Sequence, residues 1–196
     1  MHTNSLLLFN KYAASLFAPG AKVLEIGPDG FPSTYRRAIG VSCEWHTIGL
    51  KEDGRLTYRA SGEYDYPVEA DSYDIVLSGN VIEHVRKPWR WMPELVRLAK
   101  PGGLVITINP VSWTYHEAPV DCWRIYPEGM RALCEESGLR LLVCQFESLE
   151  TPHFKRFSPG VSAEYQAPRK RFFFRLFGPL GFPVERAYDT ITIAQK

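Results

Sequence analysis

The chain has 196 residues, of which 45% are hydrophobic and 23% charged, with a formal net charge of +1. That length and composition allow one sizeable core and exclude global disorder, and the near-neutral charge argues against a nucleic-acid-binding domain. The four cysteines (Cys43, Cys122, Cys134, Cys144) form no CxxC pair, so no zinc site is expected and a reducing compartment suits them. The opening Met1-His2-Thr3-Asn4 lacks the basic stretch of a secretion signal. No apolar run reaches the roughly 18 residues of a membrane-spanning helix, so a cytoplasmic location is expected.

Residues 5–17 carry Leu6, Phe9, Ala13, Leu16 and Phe17 at helical spacing, which predicts an amphipathic helix closed by Pro19-Gly20. Residues 22–26 (KVLEI) read as a short apolar strand, followed by the turn Gly27-Pro28-Asp29-Gly30. A short helix is expected over 33–39 and strands over 44–48 and 56–60, with little or no helix between the two strands. Residues 74–77 (DIVL) form a buried-type strand. Residues 89–98 form a helix with Trp91, Leu95 and Leu98 on one stripe. Pro101-Gly102-Gly103 turns the chain into a strand over 104–108. The segment 127–137 is a helix with Pro127 at its start and Gly138 just past its end. Strands over 139–146 and 190–194 complete the pattern. Strands alternating with helices predict an α/β domain around a mostly parallel sheet with helices on both faces. The whole of 1–196 is expected to be a single domain, with 1–20 as an N-terminal helical segment. Residues 147–187, rich in Pro, Phe and Arg, read as an extended insertion before the last strand.

In an open α/β sheet, ligands bind beyond the carboxyl ends of the strands. The first strand ends in Glu25-Ile26-Gly27-Pro28-Asp29-Gly30, where Gly27 permits a sharp turn and close approach of a ligand to the backbone. The spacing is not GxGxxG, which argues against a nicotinamide dehydrogenase.

In combination the motifs are more specific. VLEIGPDG (23–30) is followed by SYDIVLSGNVIEHV (72–85), KPWRWMPELVRLAKPGGLVITINP (87–110) and YHEAPVDCWRIYPEGMRALCEESGL (115–139). From about residue 21 to 146 this order resembles the methyltransferase type 11 group of class I methyltransferases. The resemblance implies a Rossmann-like fold of seven strands with the last antiparallel, and S-adenosylmethionine as cofactor. It implies that Glu25 helps to hold the methionine amino group, that the turn Gly27, Pro28, Asp29 and Gly30 passes under the methionine and ribose, and that Ser78, Gly79 and Asn80 line the methionine end. A carboxylate near an ammonium and a sulfonium is electrostatically favourable. Gly49 and Ser61 occupy the positions beside ribose and adenine. Three departures weaken the pattern. Asp29 replaces a second glycine, Gly49 replaces the acid that grips the ribose hydroxyls, and no carboxylate cleanly matches the adenine contact. Glu52, Asp53 and Glu63 are the nearby candidates to substitute, with a solvated loop charge as the alternative reading of each.

Methyl transfer requires an acceptor placed in line with the sulfonium, and an oxygen acceptor also needs a base. His84, in Glu83-His84-Val85, and His116 are the candidates, because imidazole titrates near neutrality. In residues 115–124 Asp121 is expected to orient His116. Arg124, with Tyr115, Trp123 and Glu83, is expected to bind the acceptor. Convergent polar groups among the aromatics Trp113, Tyr115 and Trp123 suit a small-molecule or glycan acceptor methylated at a sugar hydroxyl. His84, His116 and Asp121 also form a two-histidine, one-carboxylate set, but their spacing carries no metal signature and no metal is expected. Arg169-Lys170-Arg171-Phe172-Phe173-Phe174-Arg175-Leu176-Phe177 interleaves basic and aromatic residues, as peripheral membrane segments do. A contact between two copies of the chain is the alternative use of those residues. No nucleic-acid partner is expected. Against the enzyme stands a second reading, a methyltransferase-like binding or scaffold domain with a degenerate cofactor site.

Overall fold

The computed structural model describes residues 3–116, 120–151, 154–155, 182–183 and 187–196. It divides into two compact units, 1–149 with 187–196, and 150–186. In the second unit the described strands β7 (Phe154–Lys155) and β8 (Phe182–Pro183) pair antiparallel.

The first unit is built on a seven-stranded sheet in the order β3-β2-β1-β4-β5-β9-β6. Its strands are β1 (Lys22–Ile26), β2 (Glu44–Gly49), β3 (Tyr58–Arg59), β4 (Tyr73–Gly79), β5 (Ala99–Pro110), β6 (Arg140–Glu147) and β9 (Asp189–Gln195). The first five run parallel, and β9 lies between β5 and β6, antiparallel to both. The central strands β1 and β4 are apolar nearly throughout because both of their faces are covered. Alternating side chains divide the core. Leu24, Ile26 and Val76 pack with Trp91, Leu95, Leu98, Met130 and Cys134 of α3 (Pro88–Leu98) and α4 (Pro127–Glu136). Val23, Ile75 and Leu77 pack on the other face with Leu8 and Phe9 of α1 (Thr3–Tyr12) and Tyr35 of α2 (Thr34–Ala38). Helices on both faces and an antiparallel last strand are the expected architecture.

The element boundaries carry corrections. The first helix ends at Tyr12 rather than Phe17, because the chain tightens into a 3-10 turn at Ala14–Leu16, where Leu16 N–H donates to Ala13 O. The third strand keeps only Tyr58 and Arg59. It is an edge strand, and Thr57 N–H already donates to the Thr47 hydroxyl instead of joining a ladder. Pro101-Gly102-Gly103 turns within the span of β5. Ala99 pairs with Tyr73 before the register shifts to Leu104 on Ile75, and Gly102 takes φ +78°. No helix separates β2 from β3. The last helix starts at Pro127 as expected, and Gly138 (φ +70°) ends it, with Leu139 N–H closing on Cys134 O. Of the residues read as an insertion, Glu147 closes β6 and Ala187 belongs to the first unit. The basic and aromatic run at 169–177 lies outside the described residues.

Candidate active site

Parallel strands aim their carboxyl ends at one edge of the sheet, and the ends of β1, β4 and β5 bring the candidate residues there. At the end of β1, Gly27 sits at φ +66°, and a Cβ built on it would stand 2.6 Å from Val81 Cγ2. Only glycine fits the turn in both respects. Glu25, one turn of the pleat earlier, is 2% exposed and accepts a hydrogen bond from Trp45 Nε1 at 2.9 Å. Burial outweighs this bond and one from Ser33, and pushes the carboxyl up to about 7. Asp29 does not take up an unusual backbone angle. Its carboxylate accepts from Thr34 N–H (2.8 Å) and the Thr34 hydroxyl (2.7 Å) at the start of α2. Partial burial would raise its pKa, but the two Thr34 bonds outweigh that and the net shift is downward. A depression of about 400 Å³ beside this turn is lined by Phe31, Pro32, Ser33, Arg36, Trp45, Thr47 and Arg55.

The carboxylates near β2 are taken up differently. Gly49 closes β2 against Arg59 and supports Ala60 N–H with its carbonyl. Asp53 is chelated by Arg55 (2.7–3.0 Å), Glu52 faces Arg59 at 3.4 Å, and Glu63 is held by Arg86 and the Tyr64 hydroxyl. Ser61 is exposed and its N–H donates to Asp65 O.

At the end of β4 the polar groups stand open. Ser78 Oγ, both amide atoms of Asn80, both carboxylate oxygens of Glu83 and the Tyr35 hydroxyl are buried without a hydrogen-bond partner among the described residues. Tyr35 fills the space over Gly79, where a Cβ would lie 2.2 Å from its hydroxyl oxygen. Asn80 takes φ +56°, a left-handed conformation that asparagine tolerates. Buried polar atoms without partners are rare in folded proteins and call for a ligand or ordered water.

His84 follows in a 3-10 turn over Ile82–His84. Its Nδ1 faces Val120 O at 2.5 Å, so Nδ1 carries the proton and Nε2 keeps its lone pair, 3.8 Å from Glu83 Oε1. Burial lowers the pKa of His84, and the Val120 bond offsets part of that. Glu83 is fully buried, and burial lifts its carboxyl to about 8.

The loop after β5 is stapled onto this turn. Besides the His84–Val120 bond, Cys122 N–H donates to Glu83 O at 2.7 Å and Trp123 Nε1 to Val85 O at 2.9 Å. The His84 and His116 rings meet edge to face with centroids 5.0 Å apart. Asp121 orients His116, chiefly through the backbone: its Oδ2 accepts from His116 N–H at 2.8 Å and lies 3.4 Å from Nδ1. Thr114 O lies 3.2 Å from the same Nδ1. Arg124 chelates Asp121 at 2.5 and 2.7 Å and donates also to the carbonyls of Trp113, Thr114 and Trp123. The guanidinium holds the Asp121 carboxyl down to about 2. Arg124 therefore braces the loop rather than standing ready for an anion. Trp123 packs edge to face on Trp89, and Tyr115 is 56% exposed on the same loop. Residues 117–119 of the loop lie outside the described residues.

Sequence reasoning missed Trp45, Ser33 and Tyr35. The alternation of β2 signals Trp45, since it puts Trp45 and Thr47 on the face of Glu25, with Thr47 opposite Glu25 in the register. Nothing in the sequence signals that Tyr35 reaches Gly79. The metal-capable set also differs from the sequence reading: Glu83, His84 and His116 come together, while Asp121 is engaged by Arg124.

Residues 42–107 match the family model described as "Methyltransferase domain". An uncharacterized methyltransferase of Mycobacteroides abscessus is 38% identical over 96 residues, covering 48% of this chain and 34% of that protein. One from Mycobacterium bovis is 41% identical over 98 residues, 44% of this chain and 38% of that protein. The chain thus spans little more than a third of the curated relatives it matches. Among solved structures, a SAM-dependent methyltransferase from Archaeoglobus fulgidus superposes with a TM-score of 0.61 at 16% identity, covering 97% of this chain and 92% of that one. Haemonchus contortus phosphoethanolamine N-methyltransferase 2, solved with S-adenosyl-L-methionine, gives 0.59 at 15% identity over 98% of this chain and 52% of that one. The chain has the fold of the class I S-adenosylmethionine-dependent methyltransferases, and its segment 42–107 matches the methyltransferase-domain family.

Proposed function

We propose that the chain is an S-adenosylmethionine-dependent methyltransferase whose acceptor is a small molecule or glycan methylated at a hydroxyl oxygen. The observation that carries this reading is the group of buried, unpartnered polar atoms at the end of β4, beside a glycine turn that tolerates no side chain. Such a set fits a ligand rich in donors and acceptors. Glu25 fits the cofactor's cationic end, because an ammonium beside a buried carboxyl stabilises its ionised form. Ser78 and Asn80 fit the amino-acid portion. When bound, S-adenosylmethionine supplies an electrophilic methyl: the acceptor oxygen forms the new C–O bond as the S–CH3 pair returns to sulfur. Of the chain's own residues, His84 and His116 each offer an Nε2 lone pair to take the acceptor's proton. Asp121 and Arg124 hold His116 in place, and Trp123, Trp89 and Tyr115 provide apolar surface for a sugar ring.

The test is transfer of a labelled methyl group from S-adenosylmethionine to a panel of sugars, amines and phenols. Label on sugar hydroxyls is expected, and label confined to amines or phenols would overturn the acceptor assignment. The second reading, a binding or scaffold domain without turnover, is favoured by one observation. Gly49 stands where the family places an acid, and Glu52, Asp53 and Glu63 are each paired with an arginine. Cofactor binding without transfer to any acceptor would select it.

A further inference from the structure

We propose that Glu83, His84 and His116 form a binding site for one divalent transition-series cation. A carboxylate oxygen of Glu83 and one ring nitrogen from each histidine lie within 4.8 Å of one another. Ligands sharing an ion with bonds near 2.1 Å stand about 3.0–3.4 Å apart, so side-chain rotations that close each gap by about 1.5 Å complete the set. Two further observations point to a ligand. The Glu83 side chain is 1% exposed, and neither of its oxygens has a hydrogen-bond partner among the described residues. Each imidazole is prepared as ligating histidines are, with Nδ1 facing a backbone carbonyl, Val120 O for His84 and Thr114 O for His116, which leaves Nε2 with its lone pair.

The charges also suit a cation. Asp121 and Arg124 neutralise each other, so the Glu83 carboxyl and two imidazoles remain to face it. The site has an entry, since the His116 side chain is 34% exposed against 15% for His84. Two imidazoles with one carboxylate select Zn2+, Co2+ or Mn2+ over Mg2+ or Ca2+, and three protein ligands leave positions for an oxygen from outside. The role of the ion, unlike its binding, rests on the proposed hydroxyl methylation. An ion held by Glu83, His84 and His116 would supply Lewis acidity to an acceptor hydroxyl, and the two histidines would serve as its ligands in place of the proton acceptance assigned to them without it.

The experiment is titration of metal-stripped full-length protein with Zn2+, Co2+ and Mn2+ by calorimetry, without cofactor, with the Co2+ absorption spectrum as second readout. One ion per chain is expected, weakened at least tenfold in both Glu83→Gln and His116→Ala, with a Co2+ spectrum changed in each. His46→Ala, at a second histidine–glutamate contact, is expected to bind as the wild type does. A folded wild type that binds none of the three ions would overturn the proposal. So would binding left unchanged by both variants. Because no methyl transfer is measured, failure here leaves the proposed function standing, and metal binding without methyl transfer would fault only that function.

Discussion

The loop after β2 and the loop after β4 both carry carboxylates near the edge where the strands end, and the fold treats them in opposite ways. After β2, Glu52 and Asp53 lie against Arg59 and Arg55 within a few residues of chain, at the surface. After β4, the amide of Asn80 and the carboxyl of Glu83 are buried without a hydrogen-bond partner among the described residues. A carboxylate closed on an adjacent arginine at the surface contributes little to stability and is unavailable to a ligand. A buried carboxylate without a partner is costly to keep unless function uses it. The contrast is the reason the proposed function is built on the residues after β4 and β5 rather than on the carboxylates after β2.

The expected effects that break or sharpen this contrast run from large to small. Gly79→Ala should be the most damaging, because its Cβ would fall 2.2 Å from the buried Tyr35 hydroxyl. Overpacking of this kind costs about 1–3 kcal/mol or more in chemical denaturation. The same pair offers a milder probe. Tyr35→Phe removes a buried hydroxyl that has no hydrogen-bond partner among the described residues and should raise stability by about 1 kcal/mol. If that hydroxyl instead serves the cofactor, S-adenosylhomocysteine affinity falls, and calorimetry separates the two outcomes.

Loss of Asp121 should come next. Asp121→Ala leaves the Arg124 guanidinium without its counter-charge and frees the loop over His84. Breaking a pair whose carboxylate is 2% exposed should cost about 3 kcal/mol. A methyl-transfer assay should show the activity lost with it.

Glu25 gives a pH-dependent effect of similar size. Its folded pKa of about 7 lies above the ordinary 4.5, so the folded state holds the proton more tightly than the unfolded chain. The stability this contributes is fully present below about pH 4.5 and is lost as pH rises through 7. Glu25→Gln should therefore match the wild type near pH 4.5 and exceed it above pH 7 by up to about 3 kcal/mol. The same variant should bind S-adenosylmethionine about tenfold more weakly, as expected for a charge partner lost to a cation. A wild type whose stability does not fall between pH 5 and 8 relative to the variant would contradict the burial argument. The smallest effect belongs to the closed loop: Arg55→Ala should leave the melting temperature unchanged.

The fold was legible in the sequence because its signals are local. KVLEI, DIVL and LVITI are apolar runs of strand length, and Trp91, Leu95 and Leu98 mark one buried face of α3. Only the edges moved, as at β3, where a threonine hydroxyl replaces ladder bonds. The meeting place of the candidate residues was legible in the sequence, but their partnerships were not. Glu25, Gly27, Ser78, Asn80, His84 and His116 all stand at the edge where the strands end. That Arg124 braces Asp121, that Glu83 rather than Asp121 joins the two histidines, and that Trp45 caps Glu25 follow from contacts between segments about 20 or more residues apart, or from a loop closing on itself. Periodicity signals the face that Trp45 shares with Glu25, but it encodes neither the Asp121–Arg124 pair nor the meeting of Glu83 with the two histidines.

The central claim is most directly tested by titrating the purified chain with S-adenosylmethionine and S-adenosylhomocysteine by calorimetry, beside Gly27→Trp. The account requires one site per chain with micromolar affinity, abolished in the variant, because any side chain at position 27 meets Val81. A well-folded wild type that binds neither compound would contradict it.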